Sequence, residues 1–347
     1  MNILIIGGAR FIGPAVVHRL HAQRHDVILF HRGKSKAELP DGIKHIYGDR
    51  KNLHDFQDDF RKIKPDVVLD MIPITENDAI TVIKTFKGIA ERIIAISSQD
   101  VYRAYGILIG REDGLEPVPT DEDAPLRTIL YPYRSETPRP ADDPRKILDD
   151  YDKIPIEKII IGNTESSGTV LRLPMVYGPG DYQHRLFEYL KHMDDKRPAI
   201  ILEQGLAAWR SSVSYVENVA DAIVLAITDA RTKNRIYNVA EPETPTLAEW
   251  VKKIGKVAGW HGDVVIAPRD KLPQSMQPDF NTEQHLTVDT TRIRKELGYR
   301  ESIPQDEALR RTIEWERAHP PENISPEQFD YETEDKVLNS LGFISKK

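Results

Sequence analysis

The chain has 347 residues, of which 30% are charged and 39% apolar, with a net charge of −7. That length gives one large or two small domains with a sizeable core, and the spread acidic balance argues against a nucleic-acid surface, which asks for a basic stripe. The absence of cysteine excludes disulfides, thiol nucleophiles and cysteine metal sites.

The opening MNILIIGGARFIG places an apolar strand, Ile3–Ile6, before Gly7, Gly8 and Gly13, and an amphipathic helix pattern, Pro14–Leu20, follows. Strand, glycine turn and helix begin a dinucleotide-binding βαβ unit. Gly7 permits a sharp turn, Gly8 lets backbone approach a phosphate, and Gly13 lets helix pack close on strand. The helix start offers free N–H groups and a positive dipole end to a pyrophosphate, with Arg10, Phe11 and Ile12 beside it. Arg10 replaces the middle glycine of a G-x-x-G-x-x-G pattern. A strand beginning at residue 2 and the lack of any membrane-length apolar run predict a cytoplasmic protein with no membrane association.

The next strand, Asp26–Phe30, ends in His31-Arg32-Gly33-Lys34 rather than in the acid that an NAD site uses to hold ribose hydroxyls. Asp26 stands at the wrong end to substitute. Arg10 and Arg32, with His31 between the strand and the loop, suit a 2′-phosphate, so NADP is expected over NAD.

Strand and helix signals then alternate: Lys44–Gly48, a helix over 53–63, the buried-type strand Pro65–Ile72, a helix over 76–88, and Arg92–Ser97. This predicts an α/β fold, a doubly wound parallel sheet with helices on both faces. Ligands bind beyond the carboxyl ends of such strands, which selects Asp49, Arg50, Met71, Ile72 and Ser98. Seven prolines between 117 and 144 rule out a long helix or central strand over about 111–144, read as an ordered loop over the active site carrying Tyr131-Pro132-Tyr133-Arg134. Helical pattern returns at 149–163, followed by the strand Thr169–Leu173, helices near 186–193 and 219–228, the strand at 236–239, a helix over 247–259, the strand Asp263–Ala267 and a helix over 308–318. The domains expected are a Rossmann unit of 1–173 with 214–240, and a smaller α/β substrate unit of 174–213 with 241–347. No His pair or carboxylate cluster has metal-ligand spacing, and His184 and His192 stand alone.

Six motifs in order carry a resemblance: Gly7–Gly13, Ser97–Tyr102, Leu171–Pro179, Tyr215–Ala222, Tyr237–Ala240 and Leu297–Tyr299. Together they resemble the extended short-chain dehydrogenase/reductases, the NAD-dependent epimerase/dehydratase family. The Arg-Phe-Ile-Gly variant looks like an atypical branch that includes chloroplast stem-loop RNA-binding proteins. The resemblance implies a hydroxyl residue, a tyrosine and a lysine sharing proton transfer, and it assigns Ser98 and Lys153 to two of these roles. It also implies Lys153 and Pro174 at the cofactor, and Tyr133, Tyr177 and Arg210 at a small-molecule substrate. Asp49 matches an adenine-contacting acid, Arg172 an arginine near the substrate unit. A homodimer through the helices near 75–88 and 154–163 is implied as well.

The Tyr-x-x-x-Lys signature is missing, because Asp149 stands where the tyrosine would. Pro155 suits a helix's first turn, which would start the helix near Lys153 and leave Tyr151 on a bent approach. Tyr151, Tyr131 and Tyr133 are the candidate phenols. The function expected is an NAD(P)-dependent oxidoreductase or epimerase/dehydratase-like enzyme acting on a hydroxyl or carbonyl, with sugar nucleotides among the candidates. The alternative is a non-catalytic dinucleotide sensor or an RNA or protein scaffold; the displaced tyrosine favours it, whereas Ser98 and Lys153 favour the enzyme.

Overall fold

The computed structural model describes residues 1–35 and 37–343. The opening apolar run is β1 (Asn2–Ile6), and its glycine turn leads into α1 (Ile12–Ala22), β2 (Asp26–His31) and β3 (Lys44–Tyr47). A 3-10 turn over Arg50–Phe56 precedes α2 (Gln57–Ile63), so the helix expected from residue 53 is shorter and kinked. β4 (Val67–Asp70), α3 (Glu76–Phe86), β5 (Arg92–Ser98) and α4 (Arg103–Leu108) follow. After the proline-rich loop come α5 (Lys153–Gly162), β6 (Ser167–Leu173) and β7 (Met175–Tyr177). The rest of the chain forms α6 (Phe187–Asp194), β8 (Ala199–Glu203), α7 (Gln204–Ala208), β9 (Val213–Tyr215), α8 (Val216–Thr228) and β10 (Arg235–Asn238). It ends in α9 (Leu247–Ala258), β11 (Asp263–Ala267), α10 (Thr291–Leu297), α11 (Gln305–Ala318) and α12 (Tyr331–Ser340).

Seven parallel strands form the main sheet in the order β3-β2-β1-β4-β5-β6-β10. The order reverses between β1 and β4, which leaves a crevice at the carboxyl ends where a dinucleotide lies in doubly wound sheets. Alternation along β1 serves both faces: Ile3 and Ile5 pack in one core with α1 and α8, while Leu4 and Ile6 pack in another with α3 and α5. Two short parallel pairs, β8 with β11 and β7 with β9, complete the sheets.

The proline-rich segment has no long helix or strand, and distant contacts fix it in place. Thr120 exchanges backbone hydrogen bonds with Thr287 (2.9 Å) and Asp289 (2.8 Å). The Arg127 guanidinium meets Asp152 at 3.1 Å with both side chains 1% exposed. Among the described residues, no helix is long and apolar enough to cross a membrane.

Arg172, read from sequence as an arginine near the substrate unit, lies instead inside the fold. Its guanidinium pairs with Glu157 at 2.7 Å and donates to Tyr102 Oη at 2.9 Å and to the Glu122 carbonyl at 3.0 Å. Glu157 also accepts from Ser97 at 2.5 Å. Removing the carboxylate strands a buried guanidinium, so Glu157→Ala is expected to cost about 3–5 kcal/mol of unfolding free energy, measured as a fall in urea midpoint at unchanged slope.

Candidate active site

Gly7 and Gly8 turn the chain at φ of +90° and +82°, and a Cβ on Gly13 would lie 2.3 Å from the Gly8 carbonyl. The start of α1 therefore rests directly on the turn, and only glycine permits it. That start has no side-chain cap and no acid in its first turn; the Gly13 N–H turns back to the Arg10 carbonyl at 2.9 Å and Pro14 has none, so the dipole end and the Phe11 and Ile12 N–H groups are what it offers an anion. A cavity of about 410 Å³ opens here. Gly7, Gly8, Arg10, Phe11 and Ile12 form one wall; His31, Arg32, Asp49, Arg50, Met71 and Ile72 line the strand ends. Gly13 sits behind that wall. A glycine cradle that a side chain would fill, a free helix start and a crevice of this size fit a dinucleotide.

At the β2 end no carboxylate replaces the ribose-binding acid. Asp26 pairs with Asn2 at the opposite edge of the sheet. His31 meets His45 at 2.8 Å, and burial followed by the neighbouring His45 pushes the His31 pKa down. Arg10 donates to Ser35 Oγ at 3.0 Å, while Arg32 is exposed and makes no ion pair among the described residues. Arg50 behaves differently from the other cavity arginines. Its guanidinium is clamped by Asp70 (2.9 Å) and Asp78 (3.0 Å) and donates to the Ile72 carbonyl at 2.6 Å. Its charge is already balanced, so it shapes the wall. Asp49 accepts the Lys51 N–H at 3.0 Å and thereby caps the following turn.

The helix expected over 149–163 starts at Lys153, which becomes its first residue. Residues 146–149 are a separate 3-10 turn, so Asp149 is not one α-helical turn above the lysine. The Asp149 carboxylate instead binds Arg139 and Lys146; although burial opposes it, hydrogen bonds from Arg139 and Lys146 leave its pKa lowered. Tyr151 lies on the bend before α5 and points its phenol into the site. Its hydroxyl donates to Asp100 Oδ2 at 2.8 Å and lies near the Ser98 hydroxyl, which accepts the Asp100 N–H at 3.2 Å. Lys153 Nζ sits 5.6 Å from the Tyr151 ring centre and donates to the Pro73 and Ile96 carbonyls at 2.5 and 3.1 Å.

Two other tyrosines complete the picture. Tyr133 donates to the same Asp100 oxygen at 3.1 Å and accepts from Tyr105 at 3.0 Å. Tyr131 turns away, with its ring under Arg134 at 3.8 Å. Sequence reasoning passed over Asp100, although it lies within the Ser97–Tyr102 motif just beyond a strand. Its carboxyl is buried, with Oδ1 lacking a hydrogen-bond partner, and burial raises its pKa. Burial and the Asp100 charge hold Tyr151 well above the usual phenol value. Burial pulls Lys153 down to about 8 against the opposing pull of Asp100 and Asp70.

The remaining expected site residues are dispersed. Pro174 is buried directly after Leu173, the strand partner of Ser98. Tyr177 is buried 1% exposed and gives its hydroxyl to Glu241 at 2.9 Å, so it serves packing between β7 and α9 rather than the Ser98 cluster. Arg210 is half-exposed and donates to the Thr244 carbonyl at 2.6 Å.

Comparison with known proteins agrees with this geometry. The model of a family described as the NAD dependent epimerase/dehydratase family matches residues 3–107 and 142–240, more than half of the chain. A 2'-dehydrokanamycin reductase of Streptomyces kanamyceticus is 22% identical over 286 residues, covering 80% of this chain and 72% of its own. A chloroplast stem-loop binding protein of 41 kDa from Arabidopsis thaliana is 22% identical over 331 residues, covering 89% and 77%. Among solved structures, a UDP-glucose 4-epimerase of Thermotoga maritima with UDP-glucose superposes at TM-score 0.66 and 20% identity, covering 92% of this chain and 99% of that one. The Bordetella bronchiseptica enzyme WbmG in complex with NAD gives 0.67 at 16% identity, with 91% and 94% covered.

Lys153 offers a direct test of the site's electrostatics. Its folded pKa of about 8 lies below the 10.5 of a free lysine, so the unfolded chain binds more protons between these values. Its charge therefore destabilises the fold below pH 8, and that cost disappears as pH rises to 10.5. Relative to Lys153→Met, the wild type is expected to gain roughly 3 kcal/mol of stability across that window, read from urea unfolding at each pH.

Proposed function

The chain belongs to the NAD dependent epimerase/dehydratase family, and as an enzyme of that epimerase, dehydratase or reductase type we propose that it is a cytoplasmic, homodimeric NADP-dependent oxidoreductase acting on a hydroxyl or carbonyl group. The observation that carries this reading is the convergence of Tyr151, Ser98 and Lys153 beside the glycine-walled cavity. The phenol arrives from a bend rather than from the helix turn above the lysine, yet it meets the same partners.

The residues divide the work as follows. When bound, a nicotinamide dinucleotide supplies or accepts hydride. The chain's own part is proton transfer and orientation. Tyr151, held protonated by the adjoining Asp100 charge, is a proton donor toward a substrate oxygen. The Ser98 hydroxyl can hold that oxygen against the phenol. Lys153 brings a positive charge to the site, which eases negative charge developing on phenol or substrate. The reductase among the relatives supports the direction of carbonyl reduction. The exposed Arg32 and Arg10 at the end of β2 support NADP, as does the missing ribose acid.

Titration of the purified protein should show NADPH binding tighter than NADH. Arg32→Ala is expected to weaken NADPH about tenfold while leaving NADH within about twofold. Equal affinities in the wild type would refute the cofactor assignment. Tyr151→Phe is expected to lower kcat by about 10²–10⁴-fold with cofactor affinity unchanged; retained activity would remove the phenol from the mechanism. Light scattering should return the mass of two chains, with the contact along α3 and α5.

A further inference from the structure

A second cavity, of about 480 Å³, lies where β8, α6 and α9 meet the start of α12. Trp209, Trp250, Tyr189, Phe280, Leu202 and Leu247 give it apolar, aromatic walls. Met175 stands in its wall just past Leu173, the strand partner of Ser98. Trp209 and Phe280 also pack against the apolar cluster that holds Tyr105, the partner of Tyr133. Nothing in the proton-transfer machinery uses this space.

The charges around it are one-sided. Its two cationic side chains are engaged: Arg185 by Asp181 (2.6 Å) and the Val176 carbonyl (2.9 Å), and His192 by Glu334 (2.8 Å). Glu188 is exposed at the wall and makes no ion pair among the described residues. Asp330 caps α12 through Thr333 N–H at 3.1 Å and likewise has no cation within ion-pair distance among the described residues. The helix starts around the cavity are closed to anions too. Glu188 occupies the first turn of α6, Glu203 caps α7 through Leu206 N–H at 2.9 Å, and Glu249 completes the capping box of α9. Arg210, the remaining guanidinium expected from sequence at the substrate, is held on the Thr244 carbonyl.

A diphosphate needs donors or cations to replace its water, and burying it against unpaired carboxylates is costly. An ammonium group with an apolar body is served by the same surroundings, through the carboxylates at the rim and the aromatic faces below. We infer that this cavity is a substrate-recognition site for an amine-bearing alcohol or ketone with an apolar face, and that it rejects nucleoside diphosphates. The inference rests on the oxidoreductase reading for the meaning of "substrate", but the site itself is testable without turnover.

Trp209 and Trp250 lie in the wall, so their emission reports occupancy. Titration of the full-length protein with 2-phenylethylamine, its uncharged counterpart 2-phenylethanol, and UDP should give saturable quenching with the amine about fivefold tighter than with the alcohol, and weakest with UDP. The Glu188→Gln/Asp330→Asn double variant should bring amine and alcohol together; asparagine caps a helix as well as aspartate does, so α12 is retained. Amine binding no tighter than the alcohol, or UDP binding as tight as the amine, overturns the inference. NADPH titration of the same samples is read separately: failure there overturns the cofactor reading and leaves the cavity result intact.

Discussion

One buried carboxylate, that of Asp152, fixes the arrangement of the candidate site. It accepts the Ile154 N–H at 2.9 Å and so sets the first turn of α5, it pairs with Arg127 at 3.1 Å, and it accepts the Tyr131 N–H at 2.6 Å. A helix started one turn earlier would carry Tyr151 around to another face. Because Asp152 starts it at Lys153, the preceding residue pair is free to bend, and the phenol reaches Ser98 and Asp100. The same carboxylate draws in the proline-rich loop through Arg127, which brings Tyr133 onto the Asp100 oxygen that Tyr151 also binds. A side chain with nearly no solvent exposure thus joins the helix start, the Tyr151 phenol and the loop.

The basic residues divide by burial. Arg50, Arg127 and Arg172 are each matched by a carboxylate inside the fold, where an unpaired charge would be untenable. Among the described residues Arg10 and Arg32 have no carboxylate partner, and both line the nucleotide cavity. Position in the chain does not separate these groups, since Arg32 and Arg50 both follow strands of one sheet. Their surroundings do. A guanidinium without an acid partner at a concave surface is available for a ligand's negative charge, and a clamped one serves as framework.

The nucleotide half was legible because its signals are local. Gly7, Gly8 and Gly13 answer to backbone angles and a contact within a few residues, and the apolar alternation of β1 dictates two buried faces. The bend placing Tyr151 was legible in Pro155 and the lysine spacing. Asp100 was not singled out, because its importance comes from phenols far along the chain, Tyr133 and Tyr151. The partner of Tyr177 was hidden for the converse reason: a motif position says nothing about Glu241, which takes its hydroxyl from a distant segment. The elements β7, β8, α7 and α12 escaped because short segments carry too little periodicity to register.

The anchoring of the proline-rich loop has a consequence for the order of assembly. Its inner contacts join Glu116 to Gln284 and Thr120 to Thr287, separations of 168 and 167 residues, whereas the strands of the nucleotide crevice pair mostly with near neighbours. Long-range closure comes late when a chain folds during synthesis. The crevice can therefore acquire its shape on a nascent polypeptide well before the proline-rich loop is clamped. The ordering of the proline-rich loop waits on residues that the ribosome delivers much later.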